Sequence, residues 1–530
     1  MDAAQIWKEY QKGREYLSGI NLFNKTEQCF NFVNGDQWNG LKYGAGERPP
    51  QLNILEPIMK NAVSLVGQNV MDIQYTSMNY GRQRKMLLGV CELLTDEAKK
   101  LWERLKMDTV GWNVLQDAFI AGDAFLYFYD DINAEDGRIL CEPLISTNVM
   151  LADEQQPDIQ KQKYVLIVQR KTVDEAKEMA REYGLPEDEI SNIVADNDTE
   201  LQVNGKTEVD KNSKLLVIAK LWKQDGVVHI ARATRTVLIQ PDTVINGMTR
   251  YPVAKFSWKV RKGLARGDGD IWDKIPNQIS INKALFRLEQ AIKAVAYPVK
   301  AYREKALTPE QVKKLNQPGR AIAVSGNPME SLNNLLTYIQ PANISPQAAS
   351  YWQELIKLTR ELAGAGDNLE NVNPEQASGE AIQRALEAKE INVNNQVAAY
   401  RQFIEDIAWI WFEMTVAYNP NGLTIHFDQP DEYGRYSMVI PVWMLQGLDV
   451  DIKVDAIPSS HTHKAIKDSQ LKDLLNAGMI TFEEYVDSLG DDSTMPVEML
   501  RKIIQARREA MAAMPPVINP EVVNNEMQNM

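Results

Sequence analysis

The chain has 530 residues, of which 44% are hydrophobic and 25% charged, and its formal net charge is −14. This length exceeds what one ordinary hydrophobic core organises, so two or more packed units are expected. The acidic balance argues against a repressor or a nuclease, because proteins that grip DNA neutralise phosphates with a basic excess. It is compatible with a conduit, whose wall must let a duplex slide.

The sequence predicts a protein made and assembled in a cytoplasm. No stretch approaches the run of about 18 apolar residues that spans a bilayer, so no membrane contact is expected. The start, Met1–Gln5, lacks the basic and apolar segments of a secretory signal. Cys29, Cys91 and Cys141 are far apart and odd in number, which favours buried thiols over a disulfide framework.

Residues 1–265 alternate helical and strand patterns without a simple repeat, which predicts a mixed α+β domain. Helices are expected at Asn53–Asn69, Met86–Lys106, Trp112–Ala121 and Val173–Tyr183. Strands are expected at Ala124–Tyr129, Tyr164–Gln169, Lys214–Leu221, Val227–Ala231 and Arg235–Ile239. The polar, acidic residues 185–212 are interpreted as a surface loop.

A long helix is predicted after the turn at Arg266–Asp270, and Tyr297-Pro298 ends it. Its apolar residues recur in alternating steps of four and three, a coiled-coil type of seam formed by Ile281, Leu285, Leu288, Ile292 and Val295. Pro276 falls in or near its first turn, where proline is tolerated. Some 27 helical residues would span about 40 Å at 1.5 Å per residue.

Residues 297–345 form a small island between this helix and a second one at Gln347–Leu362. Strands are expected at Pro298–Tyr302 and Arg320–Val324, with a short helix capped by Thr308 between them. If the two long helices run antiparallel, the island projects from their far end.

Residues 366–376 are rich in turn formers, and one very long helix is predicted from 377 to about 417. A strand at Leu423–Phe427 follows, and the polar tail 515–530 is expected to be disordered. Three short helices are predicted before that tail, at Lys464–Asn476, Thr481–Leu489 and Pro496–Ala512. The expected fold class is therefore α+β and predominantly helical.

Motifs that carry chemistry are missing from the sequence, so no catalytic residue, metal or cofactor is expected. Gly205-Lys206-Thr207 lacks the first glycine of a phosphate loop. His461 and His463 have no third ligand nearby in sequence, and zinc sites need three or four. Gly267–Asp270 lacks the later residues of a calcium loop, which favours a turn that caps a helix.

The aromatic start Phe30–Trp38 has two interpretations. It could stack bases, but no basic residue interleaves its aromatic side chains, as such platforms require. Packing against the mixed domain is therefore the favoured interpretation.

Several segments, taken in order, carry a family resemblance. They are Phe32–Trp38, Arg48–Pro50, Asn53–Ile58, Asp117–Phe125, Gly267–Asp270, Ile279–Asn282, Ala377–Ile382 and Ala477–Tyr485. Their order over residues 30–490, together with the inserted island, resembles the portal (connector) proteins of tailed bacteriophages. No single motif is specific; the order is what carries the resemblance.

The resemblance implies a portal fold with a wing, long stem helices, a small α/β clip and a helical crown, assembled as a ring. The implied division is wing 1–265, first stem helix 266–296, clip 297–345, second stem helix 346–365, tunnel loop 366–376, long wing helix 377–418, wing return 419–460, crown 461–512 and disordered tail 513–530.

The resemblance also implies a non-enzymatic function in the virion. Portal proteins form a homo-oligomeric ring of twelve copies at one capsid vertex, where double-stranded DNA is packaged, retained and ejected. The implied partners are the major capsid and scaffolding proteins, the terminase motor, and then head-completion or adaptor proteins and tail proteins.

Two sets of site residues follow from this resemblance. The tunnel loop at the constriction of the channel is expected to present Asp367, Asn368, Leu369, Glu370, Asn371 and Asn373 to the DNA. The seam residues from Ile281 to Val295 are expected to pack the stem helices around the ring.

Two other classes of protein are alternatives to a portal. A head–tail adaptor or a minor capsid protein is the alternative, although adaptors are usually shorter and lack an island between long helices. A nuclease-like packaging enzyme is a third possibility, against which the missing phosphate loop and metal cluster argue.

Overall fold

A computed structural model describes most of the chain. The described residues are 2–38, 49–79, 84–130, 139–196, 214–245, 247–296, 299–302, 307–315, 329, 331–339, 346–364, 391–426, 437–458, 468, 471–489, 499–500 and 502–504. The fold is mixed α/β, about 52% helix and 24% strand, with several small sheets. Within the described ranges, no helix is both long enough and apolar enough to cross a bilayer.

The chain divides into two compact units. The larger comprises Met1–Gly67 and Ile73–Val454, and the smaller comprises Gln68–Asp72 and Asp455–Met530.

The amino-terminal part is largely helical. Its elements are α1 (Ala3–Gly19), α2 (Leu22–Val33), α3 (Leu55–Gly67), β1 (Asn69–Ser77), α4 (Arg84–Arg104) and α5 (Met107–Ala121). Asp2 caps α1 by accepting a hydrogen bond of 2.8 Å from the Gln5 backbone N–H. The sequence predicts α3 and α4 within two residues at each end, places the start of α5 five residues too late, and does not predict α1 and α2.

Two antiparallel sheets follow. Their elements are β2 (Asp123–Asp130), β3 (Ile139–Ile145), β4 (Val149–Leu151), β5 (Tyr164–Thr172), α6 (Val173–Glu182), α7 (Glu187–Ile190), β6 (Lys214–Gln224), β7 (Val227–Ala233), β8 (Leu238–Ile245) and β9 (Val253–Ser257). The strand orders are β3-β2-β9 and β4-β5-β6-β7-β8. Strand β2 is buried over its first six residues, which explains its continuous apolar and aromatic run.

The remaining elements follow in chain order. They are α8 (Ile275–Ala296), β10 (Val299–Tyr302), α9 (Pro309–Leu315), α10 (Leu332–Leu335), β11 (Leu336–Ile339), α11 (Pro346–Leu362), α12 (Asn394–Tyr418), β12 (Leu423–His426), β13 (Ser437–Ile440), α13 (Val442–Gln446), β14 (Val450–Pro458) and α14 (Phe482–Ser488). Three two-stranded sheets pair β1 with β14, β10 with β11, and β12 with β13.

One predicted helix begins later than the sequence suggests. Helix α8 has 22 residues and starts at Ile275, because a short 3₁₀ turn at Trp272–Lys274 precedes it. It therefore spans about 33 Å rather than about 40 Å. Pro276 is its second residue, where the missing N–H removes no helical bond.

The helix predicted from 377 to about 417 is interrupted. Residues 392–393 form a turn, and α12 begins only at Asn394. Val393 has φ −115° and ψ 7°, outside the helical region. Three asparagines at 392, 394 and 395 surround this β-branched residue, and both residue types weaken a helix.

Strand β8 also differs from its prediction. It starts at Leu238 and runs through Pro241 to Ile245, whereas the sequence predicts Arg235–Ile239. As the last strand of the five-stranded sheet, β8 tolerates a proline, since its outer N–H groups have no ladder partner to lose.

The apolar stripe of α12 forms the centre of the larger unit. Tyr400, Ile404, Ile407 and Trp411 are buried, and their steps of four, three and four residues place them on one face of the helix. The ring of Phe256 on β9 lies 5.7 Å from that of Tyr400, and Phe128 on β2 lies 6.1 Å from Trp411. These edge-to-face contacts pack α12 onto the three-stranded sheet.

The smaller unit contains a separate helical cluster. Tyr485, Val486, Leu489 and Ile504 are buried there, with Leu471, Leu475, Ile480 and Leu500 packed against them. Thr481 begins α14 with a capping box that involves Glu484.

Candidate assembly surface

Helices α8 and α11 pack as an antiparallel pair. The side-chain amide of Asn277, in the first turn of α8, donates a hydrogen bond of 3.3 Å to the hydroxyl of Thr359, in the last turn of α11. At the other end, β10 and β11 are antiparallel, with Val299 opposite Ile339. The chain between the two helices therefore leaves and returns at one place, at the end of the pair remote from Asn277.

The seam predicted on α8 changes its environment along the helix. Ile281 is fully buried, whereas Leu285 and Leu288 are half-buried. Ile292 and Val295 are 53% and 51% exposed. The stripe is thus part of the core at its beginning and an open apolar surface at its end.

Helix α11 adds exposed apolar side chains to the same pair. Tyr351 and Leu358 are about half exposed, and Leu362 is 79% exposed. Full burial of an exposed side chain of this size contributes roughly 1.5–3 kcal/mol, so covering a half-exposed one contributes about half as much. The two helices together present a surface able to pack against another apolar surface.

The backbone immediately before α8 crosses the end of α5 so closely that only glycine fits. A Cβ atom on Gly122 would lie 2.6 Å from the Gly267 carbonyl oxygen, and Gly122 has φ +102°. A Cβ atom on Gly269 would lie 2.6 Å from the Ile120 carbonyl oxygen. Both contacts are shorter than any side chain allows, so glycines are required at this crossing.

Buried charges fasten the same crossing. The Gly267 N–H donates to both oxygens of Asp123, at 3.0 and 2.9 Å, and Lys255 lies 3.5 Å from Asp123. Burial lowers the pKa of Lys255, which Asp123 partly offsets. The turn at Gly267–Asp270, which was predicted to cap a helix, is thus held by β2 and β9.

Arg266 completes this attachment. Its guanidinium donates to both carboxylate oxygens of Glu154, each at 3.0 Å, in a bidentate ion pair. It also donates to the carbonyl oxygens of Ser146 and Val149, at 2.7 and 2.6 Å. The chain is therefore tied to the start of β4 just before it turns into α8.

An amide network anchors the first two turns of α8; we define it as Gln37, Asn53, Gln278 and Asn282. Gln37, Gln278 and Asn282 are almost fully buried. The side-chain N–H of Asn282 donates to the side-chain carbonyl oxygen of Gln37 at 2.7 Å. The side-chain N–H of Gln37 donates to the side-chain carbonyl oxygen of Asn53 at 3.0 Å. The Gln278 amide donates to the Asn282 carbonyl at 3.1 Å.

Backbone groups complete the network. The N–H groups of Leu52 and Ile54 donate to Asn282 and Gln278, at 3.3 and 3.1 Å, and Gln278 donates to the Leu52 carbonyl at 2.6 Å. The extended segment before α3 is thereby hydrogen-bonded to α8.

The aromatic segment Phe30–Trp38 is packed against other parts of the protein. Phe30 and Val33 are buried, and the Trp38 ring lies 6.2 Å from that of Phe286 on α8. The Trp38 indole N–H donates to the Pro50 carbonyl at 3.3 Å. These contacts agree with the packing interpretation of Phe30–Trp38.

Segments far apart in the sequence thus converge where α8 begins. Asp117–Phe125 meets Gly267–Asp270 at the glycine crossing, and both Phe32–Trp38 and Asn53–Ile58 meet Gln278 and Asn282 in the amide network. The sequence singled out these segments but not their mutual contacts, and Gln37 and Gln278 were not recognised as members of a site.

The predicted tunnel-loop residues Asp367, Asn368, Leu369, Glu370, Asn371 and Asn373 lie outside the described residues. The flanking chain is described: Gly364, just after α11, has φ +68°, and a Cβ atom there would lie 3.5 Å from Asn392. The residues on either side of 365–390 are therefore close together.

A cleft of about 350 Å³ lies beside the glycine crossing, between β9 and α12. Charged groups on its wall include Lys255, Arg261 and Asp406. Lys255 and Arg261 are paired with Asp123 and Asp268, at 3.5 and 3.4 Å. Across the described ranges, no three histidine, cysteine or acidic side chains gather in a way that could hold a metal ion.

No protein-family model matches the sequence, and no curated protein matches it.

Proposed function

We propose that this chain is a subunit of the portal ring of a tailed bacteriophage, a non-enzymatic channel for packaging, retaining and ejecting DNA. The observation that carries the proposal is the antiparallel pair α8–α11. The apolar seam of α8 is buried in the core at its beginning and exposed at its end. At that exposed end, the chain between the two helices starts and finishes with the paired strands β10 and β11.

An exposed apolar seam of this kind needs a partner surface. Apolar side chains on a rod that extends from its parent domain are stable when a neighbouring rod covers them. Identical subunits that meet through two different surfaces form a closed ring if the rotation between neighbours closes. A ring of such rods encloses a bore.

The order of elements supports the same proposal. A mixed domain is followed by a helix, a small island, a second helix, a further long helix, short strands and a helical end. In the proposed assembly the ring occupies one capsid vertex and docks the terminase first and the head-completion and tail proteins later.

Imaging of the purified full chain by negative-stain electron microscopy tests the proposal. We expect end-on views of a ring with a central hole and one dominant rotational symmetry. Monomers or rods, at concentrations where a stable oligomer would assemble, would exclude a portal and favour the minor capsid alternative.

A further inference from the structure

The amide network of Gln37, Asn53, Gln278 and Asn282 is unusual for its place in the molecule. It lies in the interior of the larger unit, where apolar packing alone would be at least as stable. Each amide oxygen and nitrogen of these side chains has a hydrogen-bond partner, so the network is fully satisfied. Complete buried networks require one defined geometry, because any displacement leaves a polar atom unsatisfied.

The network contacts α8 at two positions near the start of the helix. Gln278 and Asn282 are one turn apart and face Leu52, Asn53 and Ile54. Beyond Asn282 the helix becomes half-buried and then exposed. The network therefore fixes α8 at the level where its outer half begins.

Small changes in that direction matter in a ring. Neighbouring subunits are rotated by about 30° in a ring of twelve and by about 28° in a ring of thirteen. A tilt of about 2° at Asn282 moves the end of α8, about 21 Å further along the helix, by about 0.7 Å. An apolar contact tolerates such a shift, whereas hydrogen bonds of 2.6–3.1 Å between buried amides resist it.

We propose that the amide network sets the number of subunits in the ring, by fixing the direction of the exposed outer half of α8. The inference rests on the proposed function and goes beyond it. Gln278 and Asn282 are positioning residues: they lie inside one subunit and act on the interface through α8.

The test measures copy number rather than stability alone. Gln278→Met and Asn282→Leu keep the approximate shape of each side chain and remove the amide. Native mass spectrometry of the purified rings should show one copy number for the unaltered chain and two or more neighbouring copy numbers for each variant. The amide hydrogens of Ile54 in the first variant and Leu52 in the second should exchange about tenfold faster or more.

Thr234→Val is the control for loss of a buried polar group elsewhere. Thr234 is also buried, and its hydroxyl donates to the Val237 carbonyl and accepts from the Val237 N–H in the turn between β7 and β8. This variant should lose comparable thermal stability while the copy number stays unchanged. A control that broadens the distribution equally would reduce the effect to general destabilisation and overturn the inference.

The remaining outcomes are also decisive. If the α8 variants do not assemble, Gln37→Met disrupts the network from the other side without altering α8, and its copy-number distribution decides. Variants that all give the original single copy number overturn the inference, as does an unaltered chain that already gives several. An unaltered chain that forms no ring at all refutes the proposed function itself.

Discussion

Asp406 on α12 is a residue whose chemistry the sequence does not reveal. It lines the cleft beside β9, and burial raises the pKa of its carboxyl group to about 6. The hydrogen bond from Gln402 and the charge of Arg250 oppose this rise without cancelling it. At neutral pH, a largely desolvated carboxylate is therefore held in the larger unit at a cost in stability.

This cost predicts a pH dependence. The unfolded chain binds the proton with an ordinary pKa near 4, so the folded state binds more protons between about pH 4 and pH 6. The contribution of Asp406 to the free energy of unfolding should thus fall as the pH rises through this window, by up to about 3 kcal/mol. Asp406→Asn should stabilise the protein at pH 7, measured by denaturant unfolding at several pH values.

The difference between the two unfolding curves isolates Asp406 from other groups, such as Asp117, whose pKa burial also raises to about 6. Asp188→Asn on the exposed helix α7 is the control for loss of a carboxylate at the protein surface. A pH dependence of the Asp406→Asn difference no larger than that of this control would show that the Asp406 carboxyl group is hydrated in the folded protein.

Among the elements, α8 shows what spacing can and cannot predict. The alternation of four and three residues identifies the seam, because helical geometry places those positions on one face. The same spacing cannot tell where the face passes from core to open surface, since that depends on α11 and the segment around Leu52. Ile281 and Val295 are equivalent in pattern and opposite in environment.

Other elements were missed for identifiable reasons. In α1, buried Ile6, Tyr10 and Leu17 are separated by many polar residues, so the apolar pattern is sparse. Strand β4 has only three residues, too few for a periodic pattern. The glycine crossing depends on two segments more than 140 positions apart, as the Gly267–Asp123 contact shows, and a single sequence carries no signal for such a contact.

The open part of the seam gives an element-level prediction. Ile292→Glu and Val295→Glu should leave the folded subunit intact, with an unchanged circular dichroism spectrum, because both side chains are exposed. Both should abolish or severely weaken the ring, since assembly would bury an unpaired charge. Size-exclusion chromatography with light scattering measures the outcome.

Ser280→Glu provides the comparison, because Ser280 is an exposed residue of the same helix outside the seam. It should assemble normally. Rings that persist with Glu at both 292 and 295 would mean that subunits meet through another surface.

For the whole molecule, the net charge of −14 bears on how DNA would be handled. Affinity for a duplex comes mainly from released counterions, and an acidic chain releases few. A channel built from it would confine DNA by shape instead of holding its phosphates.

The division into two units was expected from the length of the chain. The boundaries of the units were not predicted, because β1 and β14 are distant in sequence but paired in space.

Weak affinity for free DNA is therefore expected. In fluorescence anisotropy with a short labelled duplex, the unaltered rings should bind poorly near physiological salt. Asp367→Lys combined with Glu370→Lys should raise the affinity and make it fall steeply with added salt, if these residues face the bore. Tight, salt-sensitive binding by the unaltered chain would contradict the sliding channel.

The pairing of β10 with β11 has a consequence for how such a protein can change. Tyr302 and Leu336 are opposite each other in the ladder, so the chain comes back to its starting point before α11 begins. Whatever lies between them can be shortened, lengthened or replaced without moving either long helix. Adaptation to a new partner at this end of the molecule can proceed by exchange of one cassette, while the rest of the chain keeps its architecture.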